Sequence, residues 1–591
     1  MKKLFLTLAM ALAFGSAANA IPALRVKQII TFADGTQVAA ELRGDENMHW
    51  FETADGKCYV RDANGVFVPA DMQTMEQTAA KRRSLMAAKR AQRLNRVRSK
   101  AVRGGEMRAS LGGEHITYTG KKKGLVILIE FPDQPFEEGH DNAYYQRVCN
   151  EPNFSMKEGS REYIGSVRDY FYAQSNGQFE LTFDVVGPVV AKNEMAYYGG
   201  NGTQGRGGDL NVVYLIKEAC DYAADYVNFS DYDWDEDGEA DQVFVLYSGY
   251  SEAAGGSTET IWPHEYYLSA NSQIGKLIYS TGAVDTYGCA NELGREYDYN
   301  AGGFIDESYP AGIGPFCHEF SHCLGFADMY DTNGQKNYGM SFWDVMDQGA
   351  YLGDGFAPCN YTAFERIYAG WVEPIVLDKA ATVKDMQAAS DYGKPFIMYN
   401  EHNNNEYYLF ENRKKADWDS QLYGEGLIVT HVDYSESIWA SNAVNMSGYG
   451  HQHCTIFHAD NSDKATSVTE IKNDPYPYKK NGKVVNNELT NESAPAATLY
   501  NLNSNGRKLM NKPVTEITRN STDGTISFLV MGGDDKNILD NATPSTAIST
   551  VTDNLRSTDN RIYSIDGTYR GTDFSKLEKG IYIVGGRKVV R

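Results

Sequence analysis

The chain has 591 residues, a formal net charge of -22 and a pI near 5.0. That is too long for one hydrophobic core and too acidic for a nucleic-acid binder, which must present a basic face to phosphates. Hydrophobic residues at 42% and charged residues at 23% exclude wholesale disorder and indicate a multidomain folded protein.

The first residues read as an export signal. Lys2 and Lys3 make a positive start, residues 4–14 are apolar but too short to span a bilayer, and Ala17-Ala18-Asn19-Ala20 offers small residues for cleavage after Ala20. No Cys stands directly after Ala20, so a lipid anchor there is not expected, and no later stretch is long and apolar enough to cross a membrane. The expected product is secreted, extracellular or cell-surface, and monomeric. Eight cysteines without a CxxC pair do not make a disulfide scaffold. Cys317 and Cys323 are six apart, so a helix would point them to opposite sides, and both read as buried apolar side chains.

Residues 21–70 predict short strands, with Asp34-Gly35 and Asp55-Gly56 as hairpin turns. Residues 75–108 are rich in Ala, Lys and Arg and lack Pro. They fit a solvated basic helix, and equally a linker open to an activating protease that cuts at basic bonds. From residue 120 the pattern alternates: a buried strand at 124–131, a helix at 166–175, a strand at 179–186, a helix at 212–226 and a strand at 241–247. Residues 376–531 turn mostly to β. A polar linker follows from residue 532 and ends in a small hairpin-like module around Asp566-Gly567 and 580–584.

The run GPFCHEFSHCLGFAD at 314–328 carries the chemistry. His318 and His322, four apart, share one face of a helix and can reach one metal, while Glu319 beside them can address a zinc-bound water as a base. Gly325 is placed to end the helix, after which Asp328 can complete a three-ligand zinc site with the fourth position open. SFWDVM at 341–346 follows, with Met346 placed for a turn beneath the metal.

These segments resemble the immune-inhibitor-A type metallopeptidases, family M6, in which HExxHxxGxxD precedes a Ser-x-Trp-Asp-x-Met turn. The blocks at 124–133, 166–171, 261–264, 406–413 and 426–433 resemble the family too, so the likeness runs from about residue 25 to 531. The resemblance implies a secreted metzincin-type endopeptidase, with zinc on His318, His322 and Asp328, Glu319 as the base and Met346 in the Met-turn. Gln348 stands where some metzincins have a tyrosine, which leaves the oxyanion partner unassigned.

The expected fold is accordingly α+β and multidomain. It comprises a signal peptide (1–20), a β-rich prodomain with basic linker (21–108), a metzincin-like α/β zinc peptidase domain (109–375), a β-rich domain (376–531), and a linker with a small β tail (532–591). The tail resembles the sorting or surface-retention tails of Bacteroidetes exported proteins, or is a plain β appendage.

Asp233, Asp235, Asp237, Glu239 and Asp241 match the first nine positions of an EF-hand-like loop. That suggests structural calcium, although Phe244 takes the place of the closing bidentate Glu, and an acidic surface turn is the alternative. His264, His431 and His453 read as hydrogen-bonded core histidines, and nothing around Cys58 supports a thiolate latency switch. The expected function is that of a zymogen whose processed form hydrolyses peptide bonds in protein or peptide substrates. The alternatives are a non-catalytic adhesion protein on the same scaffold and a non-proteolytic zinc hydrolase.

Overall fold

Leu125, Ile127 and Ile129 pack into one hydrophobic core while Val126 and Leu128 pack into another, so the apolar run at 124–131 is a strand covered on both faces. The computed structural model describes residues 19–62, 65–104, 107–110, 113–116, 118–201, 209–298, 303–334, 336–464 and 467–542, together with 562–564, 569–571, 581–584 and 587–590 in the tail. The expected signal segment before Asn19 lies outside these residues.

The strand Gly120–Glu130 lies inside a seven-stranded sheet, one place from its edge. Phe179–Val190 and Val243–Tyr250 flank it in parallel, and Thr286–Asp298 continues the parallel set. The order then reverses: His264–Tyr267 pairs antiparallel with Thr286–Asp298, and Asn19–Ala20 pairs antiparallel with His264–Tyr267 at the edge.

One face of this sheet is covered by the helix Val212–Ala223, whose Leu215, Ile216, Ala219 and Cys220 are fully buried. The other face carries the helix Gly314–Ser321, anchored by its aromatic side chains. Phe316 stacks on Phe244 at 3.9 Å between ring centroids, and Phe320 meets Phe183 edge-on at 5.3 Å. Gly314 lies so close to the segment after the Met-turn that a Cβ there would meet Ala350 O at 1.9 Å. The helix Val167–Gln174 starts on a capping box, with Ser166 and Asp169 each accepting the other's backbone N–H.

Residues 27–69 form a five-stranded antiparallel sheet with both expected Asp-Gly turns at its hairpins. The basic segment is a 33-residue helix, Met72–Gly104. It is not simply solvated. Met75, Ala79, Arg83, Met86 and Arg90 recur every three or four residues and are all buried. Arg83 reaches the backbone carbonyl of Thr332, and Arg90 faces Glu265 at 3.8 Å. The exposed linker expected here is therefore, in its first half, an arm that packs through Met75 and Ala79 on the N-terminal sheet and through Arg83, Met86 and Arg90 on residues 265–332.

Two sheets make up the β-rich domain. One comprises Ile375–Val376, Phe396–Asn400, Asn403–Arg413, Gly426–Asp433 and Cys454–Ile456; the other comprises Val514–Arg519, Ile526–Val530, Ala381–Met386 and Ile538–Leu539. The last of these strands and buried Asn541, bonded to Gln387 and Lys394, carry the domain past the expected boundary at residue 531. The tail from Pro544 on is a separate unit whose described strands form a four-stranded antiparallel sheet. No helix among the described residues is long and apolar enough to cross a membrane.

Candidate metal centre and cleft

The helix that carries His318 and Glu319 ends in a 3-10 turn, His322–Leu324, and Gly325 follows with φ +87, a backbone region a side chain would resist. The reversal sends the chain back so that Asp328 faces both imidazoles. Asp328 Oδ1 stands 3.1 Å from His318 Nε2 and 3.5 Å from His322 Nε2, in neither case with hydrogen-bond geometry. His318, Glu319 and Asp328 are 0% exposed and His322 4%.

Each imidazole is held by its other nitrogen. His318 Nδ1 lies 2.8 Å from Val345 O, and His322 Nδ1 lies 2.8 Å from Phe326 O. Donation to those carbonyls leaves both Nε2 lone pairs turned inward, the usual support of a metal-ligating histidine. Burial, and behind it the neighbouring His318, holds His322 well below the ordinary histidine range and so in its neutral form. The buried atoms His318 Nε2, His322 Nε2, Asp328 Oδ1 and Glu319 Oε2 have no hydrogen-bond partner. Four orphaned polar atoms in one buried spot would be costly, and a divalent cation resolves the cost. Two imidazoles and a carboxylate suit zinc.

Met346 is fully buried, and its carbonyl accepts the amide of Met329 at 2.9 Å, which places the expected Met-turn against the metal-side loop. Asp347 pins that turn by accepting the amides of Met340, Ser341 and Gln348. Asp328 is braced from the β-rich domain: Asn442 Oδ1 accepts its amide at 2.6 Å, and Asn442 Nδ2 donates to its Oδ2 at 2.5 Å. Nothing in the sequence singles out Asn442, because its loop meets Asp328 only through tertiary packing.

The cleft is filled by the chain's own N-terminal segment. Ile21 N donates to Glu319 Oε1 at 2.6 Å, Tyr330 Oη donates to Ala20 O at 2.6 Å, and Trp262 Nε1 donates to Ile21 O at 2.9 Å. Tyr351 Oη donates to Pro22 O at 2.9 Å and Gln348 Nε2 to Ala23 O at 3.1 Å. One peptide bond, Ala20–Ile21, is thus bracketed by a tyrosine hydroxyl at its carbonyl and by Glu319 at its amide. Burial, and then the nearby charge of Asp328, pushes the Glu319 carboxyl well above its usual range. The turn at Asp45–Asn47 packs beside it, with the Glu46 carboxyl raised by burial and by Asp45 and Asp328.

Residues 114–372 match the family described as the immune inhibitor A peptidase M6 catalytic domain. Over these residues the chain is similar to the M6 peptidases. Among relatives of the M6 domain is the pre-pro-metalloprotease PrtV of Vibrio cholerae serotype O1, 27% identical over 281 residues, which are 41% of this chain and 29% of PrtV. Immune inhibitor A of Bacillus thuringiensis subsp. alesti is 25% identical over 300 residues, 44% of this chain and 42% of the relative. The chain therefore spans less than half the length of these M6 relatives. The likeness to a metallopeptidase family implies a metal, and the His318, Glu319 and His322 group is where the fold offers a place for one.

The acidic loop is assembled only in part. Asp233, Asp235 and Asp241 bring carboxylate oxygens within 4.8 Å of one another. Asp237 Oδ1 accepts the amide of Glu239, whose own carboxylate pairs with Lys276. Phe244 is buried in the strand that follows. His264 is held through both nitrogens, by Trp262 O and Tyr287 Oη, and burial pushes it down to about 4. His431 pairs with Glu406 at 2.9 Å. His453 has company not foreseen from the sequence, in Asp433 and His451. Seven of the eight cysteines are buried, and Cys58 joins none of the metal-competent groups among the described residues.

Proposed function

We propose that this chain is a secreted, zinc-dependent endopeptidase of metzincin type, made as a zymogen, in which His318, His322 and Asp328 hold the metal and Glu319 is the general base. The observation that carries the reading is the buried convergence of His318 Nε2, His322 Nε2, Asp328 Oδ1 and Glu319 Oε2, none with a hydrogen-bond partner, near the sheet edge at His264–Tyr267. A substrate peptide adding to that edge would take its main-chain register from the same strand.

Zinc in a three-ligand site supplies Lewis acidity, toward a water and toward a carbonyl. Glu319 accepts a proton from the attacking water and returns it to the leaving nitrogen, at the position Ile21 N occupies. Tyr330 Oη donates to the carbonyl oxygen as negative charge gathers there, the part left open by Gln348, which instead reaches a carbonyl farther along the segment. Met346 and the carbonyl of Val345 keep the floor and the His318 ring in place.

Latency follows from the same contacts. Export-signal removal after Ala20 would turn the Ile21 nitrogen into an ammonium, and its contact with Glu319 into a buried ion pair, with residues 21–24 lying along the cleft. The helix Met72–Gly104 ties that segment's sheet to the domain, so cutting at the exposed Lys81 or the half-buried Arg82 is the route to release. Asp233, Asp235 and Asp241 would hold a structural calcium. The decisive experiment incubates the protein, cut within 81–90, with casein, with and without chelator and with zinc restored. Turnover that vanishes with chelation and returns with zinc supports the reading; no turnover in the cut, zinc-loaded protein contradicts it.

A further inference from the structure

Asp433 ends the strand Gly426–Asp433, and His451 and His453 lie just before the strand Cys454–Ile456 that pairs with it. The three offer ligand atoms within 4.8 Å of one another. We infer that Asp433, His451 and His453 form a second transition-metal site, of the class that takes zinc, cobalt(II) or nickel(II), which clasps the base of the 434–450 loop.

The side chains are set up for this in the same way as those of the first site. His453 Nδ1 lies 2.8 Å from the backbone carbonyl of Asp433; donation there fixes the tautomer and leaves Nε2 as a lone-pair donor, as the carbonyls of Val345 and Phe326 do for His318 and His322. Asp433 Oδ1 accepts from Asn501 Nδ2 at 3.0 Å, which turns Oδ2 toward His451 Nε2, 2.9 Å away. The ring of His451 is clamped by stacking on Tyr500 at 3.6 Å between centroids. Two imidazoles and one carboxylate are a borderline donor set that selects late first-row divalent ions over calcium or magnesium, which prefer oxygen alone. The side chains of His451 and Asp433 keep 29% and 14% of their exposure, so an ion can enter and water can complete its coordination. Binding replaces the proton between His451 Nε2 and the carboxylate and releases it to solvent.

The loop so clasped carries the residues that brace the segment after the first site. Besides Asn442 on Asp328, Asn445 Nδ2 donates to Met329 O at 2.7 Å and Ser447 N to Asp331 Oδ1 at 2.8 Å. A metal across the loop's base removes the entropy of a long open loop and so holds Asn442 against Asp328. That consequence rests on Asp328 being a metal ligand; the second site itself does not.

The test is metal content and cobalt(II) absorption of untagged full-length protein, its doubly substituted forms His451→Ala/His453→Ala and His318→Ala/His322→Ala, and the combination of all four. Circular dichroism checks that each is folded, and Asp433→Asn provides a milder variant. Two equivalents of cobalt or zinc in the parent, one in each double variant and none in the fourfold variant are expected, with Asp433→Asn weakening only the uptake that survives in His318→Ala/His322→Ala. Loss of all bound metal in folded His318→Ala/His322→Ala overturns the proposal, as does full uptake in His451→Ala/His453→Ala. If instead uptake at 451/453 persists while uptake at 318/322 is absent, the catalytic reading fails and the second site stands.

Discussion

The backbone amide of Ile21 and the carboxylate of Glu319 meet at 2.6 Å although 298 positions separate them in the chain. The contact joins the expected product of export-signal removal to the expected catalytic base, and it makes the N-terminal segment an occupant of the cleft.

Freeing that cleft should release activity. Cutting the helix Met72–Gly104 at Lys81 or Arg82, so that the preceding residues can leave, is expected to raise caseinolytic turnover at least tenfold over the uncut protein. Assays of both forms at equal zinc loading check this; equal turnover would show that residues 21–24 do not govern access.

Glu319→Gln keeps the size of the side chain and removes its basicity. The variant should bind zinc as the parent does and lose roughly 10²–10⁴-fold in kcat, the range for loss of a positioned proton-transfer group. Metal analysis alongside peptide hydrolysis separates this from a site that simply fails to form.

Tyr330→Phe removes a single hydroxyl at the position of the scissile carbonyl. The expected result is a fall in kcat of about 10²–10³-fold with KM little changed, as for loss of an oxyanion donor. A rise in KM alone would place Tyr330 in ground-state binding.

Arg413 is fully buried, pairs with Asp419 at 2.7 and 2.8 Å, and donates to Trp343 O at 2.8 Å, tying the β-rich domain to the turn before Met346. Arg413→Met leaves Asp419 buried and unpaired, at a cost of about 3–5 kcal/mol. Thermal denaturation should show a Tm lowered by several degrees, with zinc affinity falling too if the turn loosens.

The candidate metal group was legible because its spacing is local. Residues 318–328 encode the helix, the glycine reversal and the inward carboxylate within a few turns of chain, and 124–129 encode a doubly covered strand by an unbroken apolar run. Asn442, Tyr330 and Ile21 were not, because each reaches the site through long-range packing that leaves no periodic or spacing signal. The basic segment misled in part: its composition looks solvated, yet Arg83 and Arg90 lie on the same stripe as Met75, Ala79 and Met86, and their charges are buried against Asp45 and Glu265. His453 looked solitary because its partner Asp433 lies one strand away, across a loop.

The most direct test of the central claim is anomalous diffraction at the zinc edge from crystals of the zinc-loaded, processed protein. A strong peak within bonding distance of His318 Nε2, His322 Nε2 and an Asp328 oxygen, with Glu319 not ligating, is the predicted result. Absence of a peak there, or a peak from which the Asp328 carboxylate is turned away, would contradict it.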